Sequence, residues 1–533
     1  MSNTVDVVVA GAGHNGLITA AYAARSGREV VVLDARPVPG GGAASEELIL
    51  PGYRMDSCST GHTLILGNPV MADDELDLVG VHGLTYVEPD PVAVAAFPDG
   101  EHLTMWLDPA ATEAELTRFS RADARAYRKL LEDWAEVGPA FRAVNQTPIG
   151  WGPSLDERLA ELASGDIWRR RRLLSAWDVV REEFESRHVQ AFLLWMAFQT
   201  YVSVDLPGSA ALLSSLLAGR QRRSWAIPLG GSGQLTDALV AEVERWGGSV
   251  LCEREVSELI LDGERCVGVA TTTGERYLAR EAVVSSIHVK HLVDMVPEGT
   301  WPSAFRYGID SFDPGLPMFA VHLATTRPPR LRDGPDPGIA VSSGVVQWPE
   351  DIVAGLRRAR DRAPTQGFPW VLMATPTLVD ERRAPEGHHT VKLLTVASPT
   401  PPDGHANWDD ARDEHAQRLI ALARERYDGL DDASVLATLP QSPLDIERAN
   451  AHMVGGAPHG GDRGPAFSGD LRPAPGWAQH RMPLDGLYQT GGTTHPGGSI
   501  TGAPGRNAAQ VLLHDLGSSI EEAAAATTPA GTT

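Results

Sequence analysis

Cysteine is scarce in this chain. Of 533 residues only Cys58, Cys252 and Cys266 are cysteines, and they form neither a CxxC pair nor a metal-ligand set. That excludes a disulfide scaffold and a redox-active disulfide, and no metal is expected. Positive charge is also in short supply: 46 Lys and Arg stand against 69 Asp and Glu, a net charge of -23 with an isoelectric point near 5.1. A phosphate backbone repels such a surface, so nucleic acid is not expected as a partner. The local "RRRR" at 169–172 reads as a solvated helix face. Long hydrophobic runs are missing as well. The most apolar stretch, "VQAFLLWMAFQTYVSV" at 189–204, falls short of the roughly 20 residues a bilayer requires, and Asp205 and Pro207 then end it. It reads as a buried helix. No signal-peptide pattern opens the sequence, so a cytoplasmic location is expected, with peripheral contact to a membrane left open.

What is present begins at the N-terminus. The stretch "VDVVVAGAGHNGLITAAYAARSGREVVVLDA" opens with an apolar β-branched run that reads as a buried parallel strand. Gly11, Gly13 and Gly16 follow in a G-x-G-x-x-G pattern, then a helix of small residues, then a second apolar strand ending in Asp34. Each residue type has a reason. Gly11 permits the tight turn, Gly13 lets backbone approach a pyrophosphate, and Gly16 lets helix pack on strand. The helix N-terminus turns its positive dipole end to the phosphates. Asp34 is spaced to accept hydrogen bonds from a ribose 2′-hydroxyl and disfavours a 2′-phosphate, hence NADP. A second glycine loop, Gly40 to Gly42, follows at once and leads to an extended run around Tyr53 and Met55. A second loop so near the first suggests a longer cofactor, as FAD is.

At the other end lies "GLYQTGGTTHPGGSITGAPGRNAA", 486–509. An apolar strand ends near Tyr488, glycines let backbone lie against a flat ring, and Pro504 suits the first turn of a helix. That helix would turn its positive end toward the charge that appears on a reduced flavin. Together with "GAGHNG" and "GGAASEELILPGYRMD", this stretch resembles the phytoene desaturase-like flavoproteins. Weaker matches are "IPLGGSGQLTDALVAEVERWGGSVLCEREVSELI" at 227–260 and "APEGHHTVKLLT" at 384–395, similar to a strand-turn-strand piece of that family's substrate domain.

The resemblance implies an α/β fold: a discontinuous Rossmann-type FAD-binding domain, glutathione reductase-like, with an α+β substrate domain. The expected division is FAD domain at 1–75, 225–300 and 450–517, substrate domain at 76–224 and 301–449, and a disordered tail at 518–533. On this reading Gly11, Gly13 and Gly16 meet the pyrophosphate, and Asp34 meets the adenosine ribose, where the family usually has Glu. Arg36, Gly41 and Gly42 lie toward the flavin, Val256 by the adenine, and Gly491, Gly492, Gly502 and Ala503 at the flavin end. His495 and His62 are the candidate acid–base residues, because imidazole titrates near neutrality. For each a purely structural hydrogen bond is the competing reading, while the phosphate loop already explains the location of His14. His452 and His459 sit in a Gly/His loop read as returning to the flavin rather than binding zinc. Trp168, Trp177 and Trp195 read as core, with an apolar substrate cavity as the alternative for their region.

No second strand, G-x-G-x-x-G and helix unit appears at mid-chain, and no redox cysteine pair exists. Electrons are therefore expected to come from a small, at least partly apolar organic substrate and to leave to oxygen, a quinone or a carrier protein. The expected reaction is FAD-dependent dehydrogenation, with hydride transfer to flavin N5 and formation of a C=C bond. Ketolation, saturation or isomerisation, and amine oxidation remain alternatives on the same scaffold. A non-catalytic, FAD-stabilised interaction protein is the alternative of another class.

Overall fold

The computed structural model describes residues 3–198, 202–332, 334 and 340–527. Among them, two large sheets organise the chain. The first begins where the sequence predicts it. Strand β1 (Asn3–Ala10) leads through Gly11–Gly13 into helix α1 (His14–Arg25), and strand β2 (Val30–Leu33) returns parallel to β1, with Val7 opposite Val30 and Ala10 opposite Leu33. Every residue of β2 is buried, as a parallel strand covered on both faces requires. The sheet then recruits strands from distant sequence. Ser249–Leu251 extends it beyond β2, and β3 (Arg276–Ser285) lies parallel to β1 on the other side. The first residues of β3 pair with Arg265–Thr271, and its last three with Leu487–Gln489.

The second sheet runs in the order Val435–Gln441, Met318–Thr325, His389–Val396, Trp370–Ala374, Ser342–Val346, Ala93–Ala96, His102–Met105. Apart from one parallel pair, Ala93–Ala96 with Ser342–Val346, its strands are antiparallel. Its central strands are buried along their whole length because the helix Trp408–Arg424 packs on one face and the helices Arg187–Phe198 and Ser209–Arg223 pack on the other. Helix α2 (Ser209–Arg223) buries Leu213, Leu216, Leu217 and Arg220 on one stripe at helical spacing. Trp168 and Trp195 are core side chains. The Arg187–Phe198 helix is buried as expected, and residues 199–201 of the 189–204 stretch lie outside the described residues.

The final long helix, α3 (Ala503–Asp515), crosses α1 at very close range. A Cβ on Gly505 would stand 2.6 Å from the Asn15 carbonyl oxygen. Asn15 Oδ1 accepts from Gly505 N at 3.1 Å, and Thr19 Oγ1 donates to Gly505 O at 2.9 Å. Two expectations need correction. The tail does not begin at 518: Ile520–Ala525 is helical and docked, because buried Arg25 donates to Ala523 O, Ala524 O and Ala526 O while its Nη1 pairs with buried Glu242 at 2.9 Å. Only 528–533 of that segment lie outside the described residues. And 384–395 is one strand, His389–Val396, preceded by a 3-10 turn rather than by a second strand.

Candidate active site

A cavity of about 820 Å³ joins the two glycine-rich ends of the chain to the second sheet. Gly11, Gly13, Gly16, Asp34, Arg36, Gly41 and Gly42 line one end; Val256 lies beside them, and Gly491 and Gly492 line the wall toward the C-terminal loop. The local physics matches the residue types. Gly11 has φ +103°, and a Cβ there would collide with Ser286 Oγ at 2.3 Å; a Cβ on Gly16 would stand 2.2 Å from the Gly11 carbonyl oxygen. Around Gly13, by contrast, a Cβ meets nothing within 4 Å. The space is open on the cavity side. Gly13 caps α1 with no side-chain hydrogen bond, so the first-turn N–H groups are left for an anion.

Asp34 is held in place by two backbone donors, Ala12 N to Oδ2 at 2.7 Å and Arg36 N to Oδ1 at 2.9 Å. Burial pushes its carboxyl pKa up, against those donors and Arg36. Each oxygen keeps a lone pair for a hydroxyl. Arg36 is itself pinned, Nη2 to Glu46 Oε1 at 2.6 Å and Nη1 to Gly41 O at 3.2 Å. At the far end Gly502, at φ +67°, caps α3 without a side-chain hydrogen bond, and Ala503 and Pro504 start the helix. Gly502 and Ala503 stand behind the cavity wall, where a Cβ on Gly502 would press on Ile18 and Ile65.

The two histidines singled out from sequence do not line the cavity. His62 is buried, with Nε2 2.7 Å from Ser232 Oγ and Nδ1 3.0 Å from Tyr86 OH, and braces the 227–232 turn. His495 Nε2 donates to Val144 O at 3.0 Å, tying the C-terminal loop to the helix at 121–145. Desolvation lowers both, His62 to about 3 and His495 to about 4, so both are neutral at pH 7. The geometry gives them fixing roles rather than access to a substrate. The histidines that do line the cavity are His14, His288, His291, His452 and His459. Burial lowers His14 and His452 to about 4, His459 to about 3, and His288 well below the usual range. His288 Nδ1 accepts from Lys290 N at 3.2 Å, which leaves its proton on Nε2.

Sequence reasoning missed the cavity's other half. Met318, Leu372 and Leu394 come from the second sheet and Leu216 from α2, and together they make an apolar wall. Trp168, Trp177 and Trp195 contribute nothing to it. Arg220, on the same stripe of α2 as Leu216, lines the cavity with a cationic head. The periodicity of α2 carried that signal, since Arg222 and Arg223 are exposed and Arg220 falls on the apolar side. The described residues contain no cluster of three or more His, Cys, Asp or Glu able to hold a metal ion, and no helix long and apolar enough to cross a membrane.

A family model for flavin-containing amine oxidoreductases matches residues 16–513. The chain belongs to that family. It is a flavin-dependent oxidoreductase, and its cofactor is FAD. The open cradle at Gly13, the uncapped α1 terminus and the anchored Asp34 carboxylate fit that group. Among curated proteins the chain is similar to mouse pyridine nucleotide-disulfide oxidoreductase domain-containing protein 2, 30% identical with 96% of this chain and 94% of that protein covered. It is also similar to a limonene dehydrogenase polypeptide of Castellaniella defragrans (25%; 97% and 95% covered) and to a lycopene-forming phytoene desaturase of a Paracoccus species (24%; 96% and 98%). The resemblance to phytoene desaturase-like enzymes is thus borne out. So is the fold: wild-type putrescine oxidase bound to putrescine superposes with a TM-score of 0.62 at 13% identity, covering 97% of this chain and 99% of that one.

Proposed function

We propose that this protein dehydrogenates an apolar or partly apolar organic substrate and passes the electrons to oxygen, a quinone or another carrier rather than drawing them from a nicotinamide. The observation that carries this reading is the continuity of the cavity, from the glycine cradle directly onto the Leu216, Met318, Leu372 and Leu394 wall. The bound flavin supplies the hydride acceptor. The chain does the rest. The apolar wall orients a hydrocarbon segment and excludes water. His288, His452 and His459, held neutral by burial, offer hydrogen-bonding groups at the cavity wall without adding charge, and Gly11, Gly13 and Gly16 with Asp34 hold the dinucleotide half. Segments 1–75, 225–300 and 450–517 form the cofactor half on this reading, and 76–224 with 301–449 the substrate half.

The named activities of two relatives, dehydrogenation of limonene and desaturation of phytoene, agree with an apolar substrate. A buried arginine in the cavity speaks against a protonated amine as the bound species. The test is anaerobic mixing of the purified holoenzyme with NADH, NADPH and a panel of terpenoid and long-chain aliphatic compounds, followed by flavin absorbance. The expected result is an oxidised spectrum with both nicotinamides and bleaching with at least one panel member. Rapid bleaching by NADPH overturns the proposal.

A further inference from the structure

Arg220 is an anomaly in a cavity otherwise walled by carbon on its side. It is 6% exposed, and its Nε and Nη1 have no hydrogen-bond partner among the described residues. No carboxylate among them pairs with it. The stabilising neighbour it does have is the Trp225 ring, whose centroid lies 5.2 Å from the guanidinium carbon, a modest compensation for a buried charge. Desolvation alone lowers its pKa, to about 9, which still leaves it protonated at neutral pH. Two other buried guanidinium groups have charged or carbonyl partners: Arg472 donates to four backbone carbonyls, and Arg383 pairs with Asp56 at 2.8 Å. An unpaired buried charge is costly, because nothing repays the desolvation of the guanidinium. A partner that arrives from outside removes that cost.

We infer that Arg220 receives the carboxylate of the substrate, so that the substrate class is an amphipathic acid whose hydrocarbon chain lies on Leu216, Met318, Leu372 and Leu394. The guanidinium fork matches a carboxylate in two parallel N–H···O bonds. A single guanidinium also matches a single negative charge. Among the described residues no second cation acts on Arg220, so a phosphate monoester, a dianion for the most part, would leave one charge uncompensated in the apolar cavity. The Trp225 ring lies against the guanidinium on one side, and the buried, unpartnered Nε and Nη1 require the ligand carboxylate to settle in beside them. The inference rests on the proposed substrate half of the cavity, but it concerns binding and not turnover.

The test therefore uses ligands that need not react. Octanoate, octanamide and octyl phosphate are titrated into the FAD-loaded holoenzyme, and binding is read from the perturbation of the flavin spectrum. The expected result is octanoate binding at least tenfold tighter than octanamide or octyl phosphate. In Arg220→Gln the octanoate preference over octanamide disappears while FAD content stays at the wild-type level; Arg220→Lys, which keeps the charge and guards against a folding failure of the first variant, retains part of it. Equal binding of octanoate and octanamide to the wild type overturns the inference, as does tighter octyl phosphate. Loss of FAD from folded Arg220→Gln also overturns it, because Arg220 would then serve the cofactor. If NADPH reduces the flavin yet octanoate binds through Arg220, the dehydrogenase reading fails and this one stands.

Discussion

Two glycines three residues apart should fail in opposite ways when each is given a methyl group. In Gly16→Ala the new Cβ lies 2.2 Å from the Gly11 carbonyl oxygen and 3.1 Å from Ser286 Oγ. The first of these atoms is backbone at the end of a buried strand and has no free direction to move. Overpacking of this kind costs about 1–3 kcal/mol, and it is present before any cofactor binds. In Gly13→Ala the backbone, at φ -67° and ψ 156°, is ordinary for any residue, and the Cβ meets nothing within 4 Å. The apoprotein should therefore change by less than about 0.5 kcal/mol. On the proposed placement of the dinucleotide, the methyl group instead occupies space at the uncapped end of α1 meant for the pyrophosphate. FAD affinity should fall at least tenfold, about 1.4 kcal/mol. The assay is thermal melting of deflavinated protein beside a titration with FAD followed by quenching of flavin fluorescence. Gly16→Ala melts lower without FAD; Gly13→Ala melts like wild type without FAD but is stabilised far less by adding it. If Gly13→Ala binds FAD as tightly as wild type, the cradle has been assigned to the wrong residue.

Two further predictions concern the whole fold. Arg25→Ala strips the C-terminal helix of its bonds to Ala523 O and Ala526 O and leaves fully buried Glu242 with weaker partners; a loss of about 3–5 kcal/mol is expected, with limited proteolysis cutting near residue 520 first, and unchanged protection there would contradict it. Buried histidines also set the acid limit. His14, His452, His480 and His495 titrate at about 4 and His62 and His459 at about 3 in the folded chain, against 6.5 when exposed. The unfolded chain binds their protons first, so stability is full above about pH 6.5 and is lost as pH falls toward 4. Urea unfolding of apoprotein across that range should show net proton uptake beginning above the carboxylate range; a flat profile from pH 6.5 to 5 would refute the assignment.

The sequence was most readable where local chemistry and tertiary role coincide. Gly11, Gly13, Gly16 and Asp34 sit in one β1-α1-β2 unit, so spacing alone conveys the turn geometry and brings all four to one end of one cavity. The apolar wall could not be read that way. Met318, Leu372 and Leu394 look like any core residues in their strands, and only the register of the second sheet puts them on the same side. Arg220 was hidden by "RQRR", where three arginines in four residues suggest a solvated end and only the Leu213, Leu216, Leu217 stripe sets one apart. His495 misled because a histidine among glycines signals proximity to a cofactor, whereas a hydrogen bond across 351 residues to Val144 turned it away. The docked helix at 520–525 was invisible because its anchor, Arg25, lies almost 500 residues earlier.

The clasp between Asn15 and Gly505 bears on how the enzyme is made. A nascent chain that has emerged only as far as His480 already carries the entire G-x-G-x-x-G unit, yet it lacks Leu487–Gln489 along β3, the Gly491–Gly492 wall and the helix that fixes Asn15. The cofactor pocket thus has one wall supplied long after its glycine unit has been made. Tight loading with FAD is expected only once that late segment has emerged and docked, and a chain cut before it should purify without bound flavin however well its first domain half has folded.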